Sequence, residues 1–436
     1  MYVKIFKKQN ELWLFFYIFF IFFKKRYFMS DKIKILVIPS DKHGCGKFRS
    51  VDPHVYIQEH YGDEFQVDIV YEIPKDNPSD FFSKYDIIHI HKQLDGQMNL
   101  MNTIKFLGIP VVVDVDDYFF LGDHHPMSLS AKQEKWHIPI INHLKAADYV
   151  TTTTKIYANE LKKYNKNVFV FPNAINPEEE QYTHPKTKSD RLRVGLICGS
   201  SHLKDIEPLK GLTFQIPLDK VQLVLCGFDT NGTRTIYNKD TGEVTRRPIY
   251  PEESVWCDYE RIITDNYRII SPEHKDFLMK YAKGVDDPFV NEPYRRMWTR
   301  DISQYATHYE NVDVLLAPLK ETDFNKMKSE LKEIEAGFTH TALIAQEFGA
   351  YTINLKSMIE KGGVINDEGT ALLVETSKNH KQWGKYIKKL AENPDMVKKL
   401  QDNLYNFVKD KYSLDTVCKQ RVEFYRNIVK KNAGTE

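Results

Sequence analysis

The sequence predicts an α/β protein with two doubly wound parallel sheets, each in a domain of its own. The chain has 436 residues, which is more than a single hydrophobic core usually serves. From Met29 onward, short apolar runs alternate with longer amphipathic segments, as in repeated β-α-β units. A polar, proline-containing stretch at residues 176–190 divides these runs into two series and predicts the linker between the domains.

The N-terminal segment, residues 1–28, contains an apolar run of its own at residues 12–23, flanked by lysines and an arginine. The run is shorter than the roughly 20 residues that a membrane-spanning helix needs, and no small-residue cleavage site follows it. We therefore expect this segment to be either an over-extended translation start or a membrane-surface anchor. Met29 opens a normal cytoplasmic α/β sequence.

Six apolar runs predict the strands of the first domain, which we place at residues 29–180. They lie at residues 33–39, 65–71, 86–91, 111–115, 148–153 and 168–172.

A second series predicts the second domain, which we place at residues 190–410. Its four runs lie at residues 192–199, 221–227, 312–318 and 341–346. The long connection at residues 228–310 contains a predicted hairpin, "IYNKDTGEVTRRP", and a tyrosine-rich helical stretch; insertions of this size are more often functional than filler. The chain is predicted to be helical after residue 376, and residues 411–436 form a predicted C-terminal helix.

Composition excludes several function classes. There are 61 Lys and Arg residues against 60 Asp and Glu residues, so a formal net charge of +1 gives no reason to expect bulk nucleic-acid binding. The five cysteines lie far apart and form no C-x-x-C pair, which indicates neither a disulfide framework nor a zinc site. A reducing cytoplasm fits this pattern best.

Two glycine-containing loops follow the first strand of each series, where ligands of doubly wound proteins bind. The first contains Gly44 and Gly46, and a tight strand-to-helix turn explains it equally well. The second presents Gly199 and Ser200, with Lys204 close behind. Backbone and hydroxyl donors next to a lysine suit a diphosphate.

The segment "ETDFNKMKSELKEIEAGF", residues 321–338, predicts a single helix. At 100° per residue, a polar stripe runs along it beside the apolar face, and the acids Glu330 and Glu333 point elsewhere. The stripe consists of Asn325, Lys328, Lys332 and Glu335. Two lysines that share a diphosphate would turn mutual repulsion into shared attraction. An ordinary solvated stripe is the alternative.

One segment of the sequence also resembles a known protein family. "VDVLLAPLKETDFNKMKSELKEIEAGF" is similar to the donor-site region of GT-B glycosyltransferases of the group 1 kind, in a bacterial and phage subgroup with F-N-x-x-K-S-x-L-K-x-x-E. Four other segments occur along the chain in the same order as their counterparts in the family: "DIIHIH", "VFPNAINPE", "VGLICGSSHLKD" and "KYSLDTVCKQRVEFY". The resemblance implies two Rossmann-like domains that face a cleft and a C-terminal helix that crosses back to the first domain. It also implies that the second domain holds most of a nucleotide-sugar.

The resemblance further implies site residues. Three are expected to be catalytic: Asp116, Lys328 and Glu335. Donor binding is expected of Gly44, Gly46, Gly199, Ser200, His202, Lys204, Asn325, Lys328, Ser329, Lys332 and Glu335. His89, Asp114 and Asp117 are expected on the acceptor side. Two positions depart from the family: Met327 replaces the first glutamate of its spaced pair, and Asp116 replaces a histidine.

The implied function is transfer of a sugar from a nucleoside-diphosphate sugar to a glycan, lipid-linked or other acceptor, with retention and without a metal or another cofactor. We expect a cytoplasmic protein with peripheral contact to the inner face of the cell membrane. One alternative is a sugar-nucleotide epimerase of the same fold, which needs paired carboxylates. Another is a catalytically silent sugar-nucleotide binder. A third is a GT-A enzyme with a D-x-D metal site at Asp114 and Asp116, which leaves the second β-α series unexplained.

Overall fold

The computed structural model describes residues 32–92, 98–123, 125–237, 241–264, 294–375 and 380–434. The predicted N-terminal extension, residues 1–28, lies outside them, as does the middle of the long connection in the second domain. Within the described parts of the chain, no helix is long and apolar enough to cross a membrane.

The first sheet has six parallel strands in the order β2-β1-β3-β4-β5-β6. They are β1 Ile33–Ile38, β2 Phe65–Ile69, β3 Ile87–His91, β4 Val111–Val115, β5 Tyr149–Thr152 and β6 Val168–Val170. All six predicted runs form these strands. The apolar residues of β1 alternate between two separate clusters, Leu36 and Ile38 in one and Ile35 and Val37 in the other. Both faces of the sheet are therefore covered, which explains why its strands read as continuous apolar runs.

The second sheet also has six parallel strands, in the order β11-β8-β7-β12-β13-β14. They are β7 Leu192–Ile197, β8 Val221–Phe228, β11 Tyr294–Trp298, β12 Val314–Ala317, β13 Ala342–Gln346 and β14 Leu372–Val374. The four predicted runs are confirmed, and so is the hairpin, with β9 Thr233–Tyr237 antiparallel to β10 Val244–Pro248. The tyrosine-rich stretch was predicted to be helical. This is wrong at β11, where Tyr294 and Trp298 are buried in a strand that pairs with β8, but Tyr305–Asn311 does form a 3-10 helix.

Thirteen α-helices of four residues or more connect and flank the strands in the described part of the chain. They are α1 Asp52–His60, α2 Pro78–Phe82, α3 Met98–Phe106, α4 Ser128–Gln133, α5 His137–Ala146, α6 Lys155–Leu161, α7 Glu180–Thr183, α8 Val255–Thr264, α9 Asp323–Lys326, α10 Leu331–Phe338, α11 His380–Glu392, α12 Pro394–Lys409 and α13 Leu414–Asn432. A short turn at Gly44–Gly46 and a π-helical stretch at Lys47–Val51 lead into α1.

The C-terminal helix α13 packs against the first sheet, as predicted. Its Val417 and Tyr425 belong to the same buried cluster as Ile35 and Ile57 of the first domain. The Tyr425 hydroxyl lies 3.0 Å from Nδ1 of His89 and 2.7 Å from Nε2 of His54. His89 is fully buried here, under the helix. This corrects its expected place on the acceptor side, because Tyr425 of α13 and His54 enclose its side chain, and it is not among the residues that line the cavity.

The prediction of a single helix over residues 321–338 is wrong. Two short helices, α9 and α10, replace it, with a break at residues 327–330. Local propensity gives no cause for the break, since the segment has neither proline nor glycine before Gly337. The break is explained by tertiary packing, because the side chain of Met327 packs in the buried cluster of the first domain.

Glu330 and Glu333 were predicted to point away from the polar stripe, and the structure shows that both are buried. Glu330 is 4% exposed and Glu333 is fully buried, because this side of α10 faces α12 and the turn that follows it. Burial raises the pKa of Glu330 to about 7, against the weaker effects of Lys411 and Arg49. Burial, and then the neighbouring Glu330, also raise the pKa of Glu333.

Candidate functional site

A cavity lies between the two domains, at the carboxyl ends of strands from both sheets. Ile197 and Ala317, the last residues of β7 and β12, line it from the second domain. Asp116 and Asp117, which follow β4, line it from the first domain. Open α/β sheets bind ligands at this edge.

The second-domain wall is formed by the break between α9 and α10 and by the start of α10. Lys328, Ser329, Leu331 and Lys332 line the cavity there. Nζ of Lys328 lies 3.5 Å from Nε2 of His202 and 5.2 Å from the ring centroid of Phe324. Because the first amides of a helix have no partner within it, the N-terminus of α10 adds a positive end to the two lysines. The wall is suited to an anion.

A buried network fixes this wall from behind. Oδ2 of Asp205 lies 2.8 Å from Nδ1 of His202, and its Oδ1 accepts a 2.6 Å hydrogen bond from Nδ2 of Asn325. Burial lowers the pKa of His202, and the Lys328 ammonium lowers it further. Asn325 is 1% exposed and does not line the cavity. It therefore holds this part of the wall in place and does not contact a ligand directly.

Glu335 is fully buried behind the same wall. Its carboxylate accepts hydrogen bonds from the hydroxyls of Tyr305 and Tyr309, the latter at 2.8 Å. Lys332 donates a third, with Nζ 2.8 Å from Oε2. Glu335 is not among the residues that line the cavity. The structure places it where it orients Lys332, which differs from the direct sugar contact implied by the resemblance.

The loop after β7 contributes less to the cavity than the sequence predicts. Gly199 and Ser200 are exposed and outside the lining, while His202 lines it. The hydroxyl of Tyr259, on α8, donates to the carbonyl of Gly199 and accepts from the amide of His202, at 2.8 and 3.0 Å. Lys204 points away and pairs with Glu207 at 2.7 Å, so its predicted diphosphate contact has no support in the geometry.

Four polar residues meet on the first-domain wall. Nζ of Lys92 lies 2.6 Å from Oδ1 of Asp116 and 3.3 Å from Oδ2 of Asp117. Nε2 of His91 lies 3.2 Å from the same oxygen of Asp116. Although burial opposes it, the Lys92 ammonium holds the pKa of Asp116 well below its usual range. Asp116 is therefore an anionic hydrogen-bond acceptor at neutral pH.

The sulfur of Cys45 completes this group. Three possible metal-ligand atoms lie within 4.8 Å of one another, the sulfur of Cys45 and one carboxylate oxygen each of Asp116 and Asp117. This spacing suits a divalent cation. The Lys92 ammonium pairs with both carboxylates and offsets one of their two negative charges.

Asp114 does not converge with Asp116, which removes the support for a D-x-D metal site. It is fully buried and forms a bidentate pair with Arg49, at 2.9 Å to Nε and 2.7 Å to Nη2. Residues two apart in a strand point to the same face, so Asp114 and Asp116 would lie side by side if the strand included both. Because β4 ends at Val115, Asp116 lies beyond the strand and points in a different direction. Asp114 is thus absent from the cavity lining, in contrast to its expected place on the acceptor side.

The two glycines after β1 have different surroundings. Gly44 lines the cavity. Gly46 does not, and a Cβ there would lie 2.0 Å from the carbonyl oxygen of Asp41. Gly46 is therefore required by the tight turn, which was the alternative explanation from the sequence.

Sequence reasoning missed several cavity residues and their supports: Arg49, Lys92, Asn173 and Asp205. The sequence contains only weak indications of these residues. Lys92 follows the strand "DIIHIH", and Asn173 lies within "VFPNAINPE", so their position after strands could have indicated them.

Comparison with solved structures identifies the fold. HepE of Anabaena, in complex with UDP, matches with a TM-score of 0.57 and 11% identity over 91% of this chain and 100% of HepE. This chain has the GT-B fold. A glycosyltransferase from Rickettsia africae matches with a TM-score of 0.55 and 12% identity, over 92% of this chain and 100% of that one.

A third match is the catalytic domain of starch synthase IV from Arabidopsis thaliana, bound to ADP and acarbose. Its TM-score is 0.53 at 11% identity, over 92% of this chain and 100% of that domain. No family model and no curated protein sequence matches the chain. At these identities the likeness shows the fold alone, and the GT-B arrangement replaces the GT-A alternative.

Proposed function

We propose that the protein is a glycosyltransferase that moves a sugar from a nucleoside-diphosphate sugar to a glycan, lipid-linked or other acceptor. The observation that carries this proposal is the anion-binding wall of the interdomain cavity. Lys328, Lys332 and the N-terminus of α10 meet there, opposite the carboxylates of Asp116 and Asp117. The solved structures with this fold that contain UDP or ADP are consistent with a nucleotide at this cleft.

In the proposed reaction, the bond between the anomeric carbon and the diphosphate oxygen breaks, a bond from that carbon to an acceptor hydroxyl oxygen forms, and the hydroxyl proton passes to the departing diphosphate. Negative charge develops on the departing diphosphate. The two lysines and the helix N-terminus stabilise this charge, which is the principal catalytic contribution of the second domain. These groups supply positive charge without a metal ion.

The first-domain wall is proposed to receive the sugar and the acceptor. Asp116 is anionic and only 7% exposed, so it accepts hydrogen bonds from hydroxyl groups in a sheltered place. Lys92 and His91 hold its carboxylate in position. Retention of anomeric configuration is part of the proposal and rests on resemblance to the family.

Incubation with a panel of nucleotide sugars tests the proposal. The purified protein is mixed with UDP-, GDP-, ADP- and dTDP-sugars, and free nucleoside diphosphate is measured by coupled assay. A transferase releases the diphosphate slowly by hydrolysis, and faster when an acceptor is present. An epimerase would isomerise the sugar instead, and a silent binder would do neither. Release by the parent but not by Lys328→Met would assign the reaction to this cavity.

A further inference from the structure

The break between α9 and α10, residues 327–330, belongs to the second domain in sequence but is held by the first domain. It carries Lys328 and Ser329, both of which line the cavity. Two contacts with the first domain fix it, one on each side of Lys328.

The first contact is the side chain of Met327. It is 7% exposed and lies in a buried cluster whose other members, including Met101, Val115 and Phe119, all belong to the first domain. Just before it, the ring of Phe324 lies 5.0 Å from the ring of His125 in an edge arrangement. The second domain thus inserts an apolar side chain into the core of the first.

The second contact is a hydrogen bond from Asn173. Its Nδ2 donates to Oγ of Ser329 at 3.1 Å, across the cleft. Its Oδ1 accepts from Nη1 of Arg49 at 3.2 Å, and Arg49 is itself fixed by the buried pair with Asp114. Because a guanidinium can only donate, Arg49 determines which end of the amide faces Ser329. The first domain therefore presents a pre-oriented donor to the break.

We propose that Asn173 and Met327 are positioning residues that set the place of Lys328 at the diphosphate site. The inference rests on the proposed function, since it concerns the same site. Lys328 lies between the two anchored residues, with its ammonium next to His202. The affinity for a diphosphate then depends on the contacts by which the first domain holds residues 327–330 in place. Met327, at the position where the resemblance implies a glutamate, packs into the core of the first domain in this chain.

A double-mutant cycle on the full chain tests the hydrogen bond. Binding of UDP and of inorganic pyrophosphate is measured by calorimetry for the parent, Asn173→Ala, Ser329→Ala and the double variant. Asn173→Ala is expected to weaken pyrophosphate binding roughly three- to tenfold, as expected for the loss of one hydrogen bond. In the double variant, the loss should equal that of Ser329→Ala alone, because Asn173 acts only through Ser329. Multiplicative losses, or parental affinity in Asn173→Ala, would overturn the proposal.

The apolar contact has a matched control in Met101. Met101→Ala and Met327→Ala each remove a methionine from the same cluster, so both should lower the melting temperature. Only Met327→Ala should weaken pyrophosphate binding, and Met327→Leu should bind like the parent. Equal weakening by both alanine variants would mean that general loss of stability is the cause, and the positioning role would fail.

Failure of this inference differs from failure of the proposed function. If the parent transfers sugar and binds pyrophosphate while Asn173→Ala and Met327→Ala bind it equally well, only the positioning role is refuted. If the parent neither binds UDP or pyrophosphate nor releases a nucleoside diphosphate, the proposed function is refuted, and the inference with it.

Discussion

Replacement of Lys328 by methionine separates binding from stability. Lys328 lines the cavity, and its ammonium lies over the ring of Phe324. Among the described residues, no carboxylate pairs with this ammonium. Loss of one charge-assisted contact to a phosphate in a sheltered cleft should cost about 1.5–3 kcal/mol of binding free energy, or roughly 10- to 150-fold in affinity. Loss of the cation–π contact should cost only about 0.5–1 kcal/mol of folding free energy.

The structure changes the expected effect on stability. From the sequence, Lys328 and Lys332 repel each other on one helix, so removal of one charge should stabilise the protein slightly. The break at residues 327–330 places them on different segments, and that gain is lost. Lys328→Met should instead raise the pKa of His202 towards its ordinary value, since the ammonium is the second cause of its depression after burial.

Calorimetric titration with the nucleoside diphosphate, thermal unfolding and an NMR titration of His202 measure these three effects. Lys204→Met is the matched control, because it removes the same charge from an exposed residue outside the cavity. It should bind like the parent. Parental affinity in Lys328→Met, or an equal loss of affinity in Lys204→Met, would refute the assignment of Lys328 to the diphosphate site.

Three other substitutions give distinct outcomes. Glu330→Gln mimics the protonated acid; because the folded-state pKa of Glu330 is raised from 4.5 to about 7, the parent loses stability as the pH rises through this range, and the variant should be the more stable protein above pH 7 in denaturant titrations. A constant difference from pH 4 to 8 would contradict this. Asp114→Asn leaves the buried Arg49 without its counter-charge and should cost about 3–5 kcal/mol of unfolding free energy. The depressed pKa of Asp114 means that its stabilisation is complete at neutral pH and is lost as the pH falls below the ordinary aspartate range, so parent and variant should converge in acid. Tyr309→Phe removes one hydrogen bond to the buried Glu335 and should cost about 1.5–3 kcal/mol in chemical unfolding; a change below about 0.5 kcal/mol would show that the bond is unimportant.

The sheets were largely predictable because buried parallel strands consist of apolar residues on both faces. The run at residues 111–115 and the run at residues 341–346 are examples, and both form strands at nearly those bounds. Strand β11 was missed because "YRRMW" places two arginines at its centre, and the sequence does not reveal that Arg296 pairs with the buried Glu260. Strand β14 has only three residues, too few for a pattern.

The site was predictable where one segment carries it and unpredictable where distant segments meet. Lys328 and Lys332 were identified from a single motif, and both line the cavity. The link from Arg49 through Asn173 to Ser329 joins three separate parts of the chain, and no local pattern encodes it. The helix break has the same origin, because its cause is a packing contact with another domain.

The central claim is that a donor diphosphate binds between Lys328, Lys332 and the N-terminus of α10. A crystal structure of the protein with the nucleoside diphosphate released in the donor panel tests it most directly. The account predicts phosphate oxygens within about 3 Å of both ammonium groups, with the remaining side of the cavity open towards Asp116. A nucleotide bound elsewhere, or in this cavity with its phosphates away from both lysines, would contradict the account.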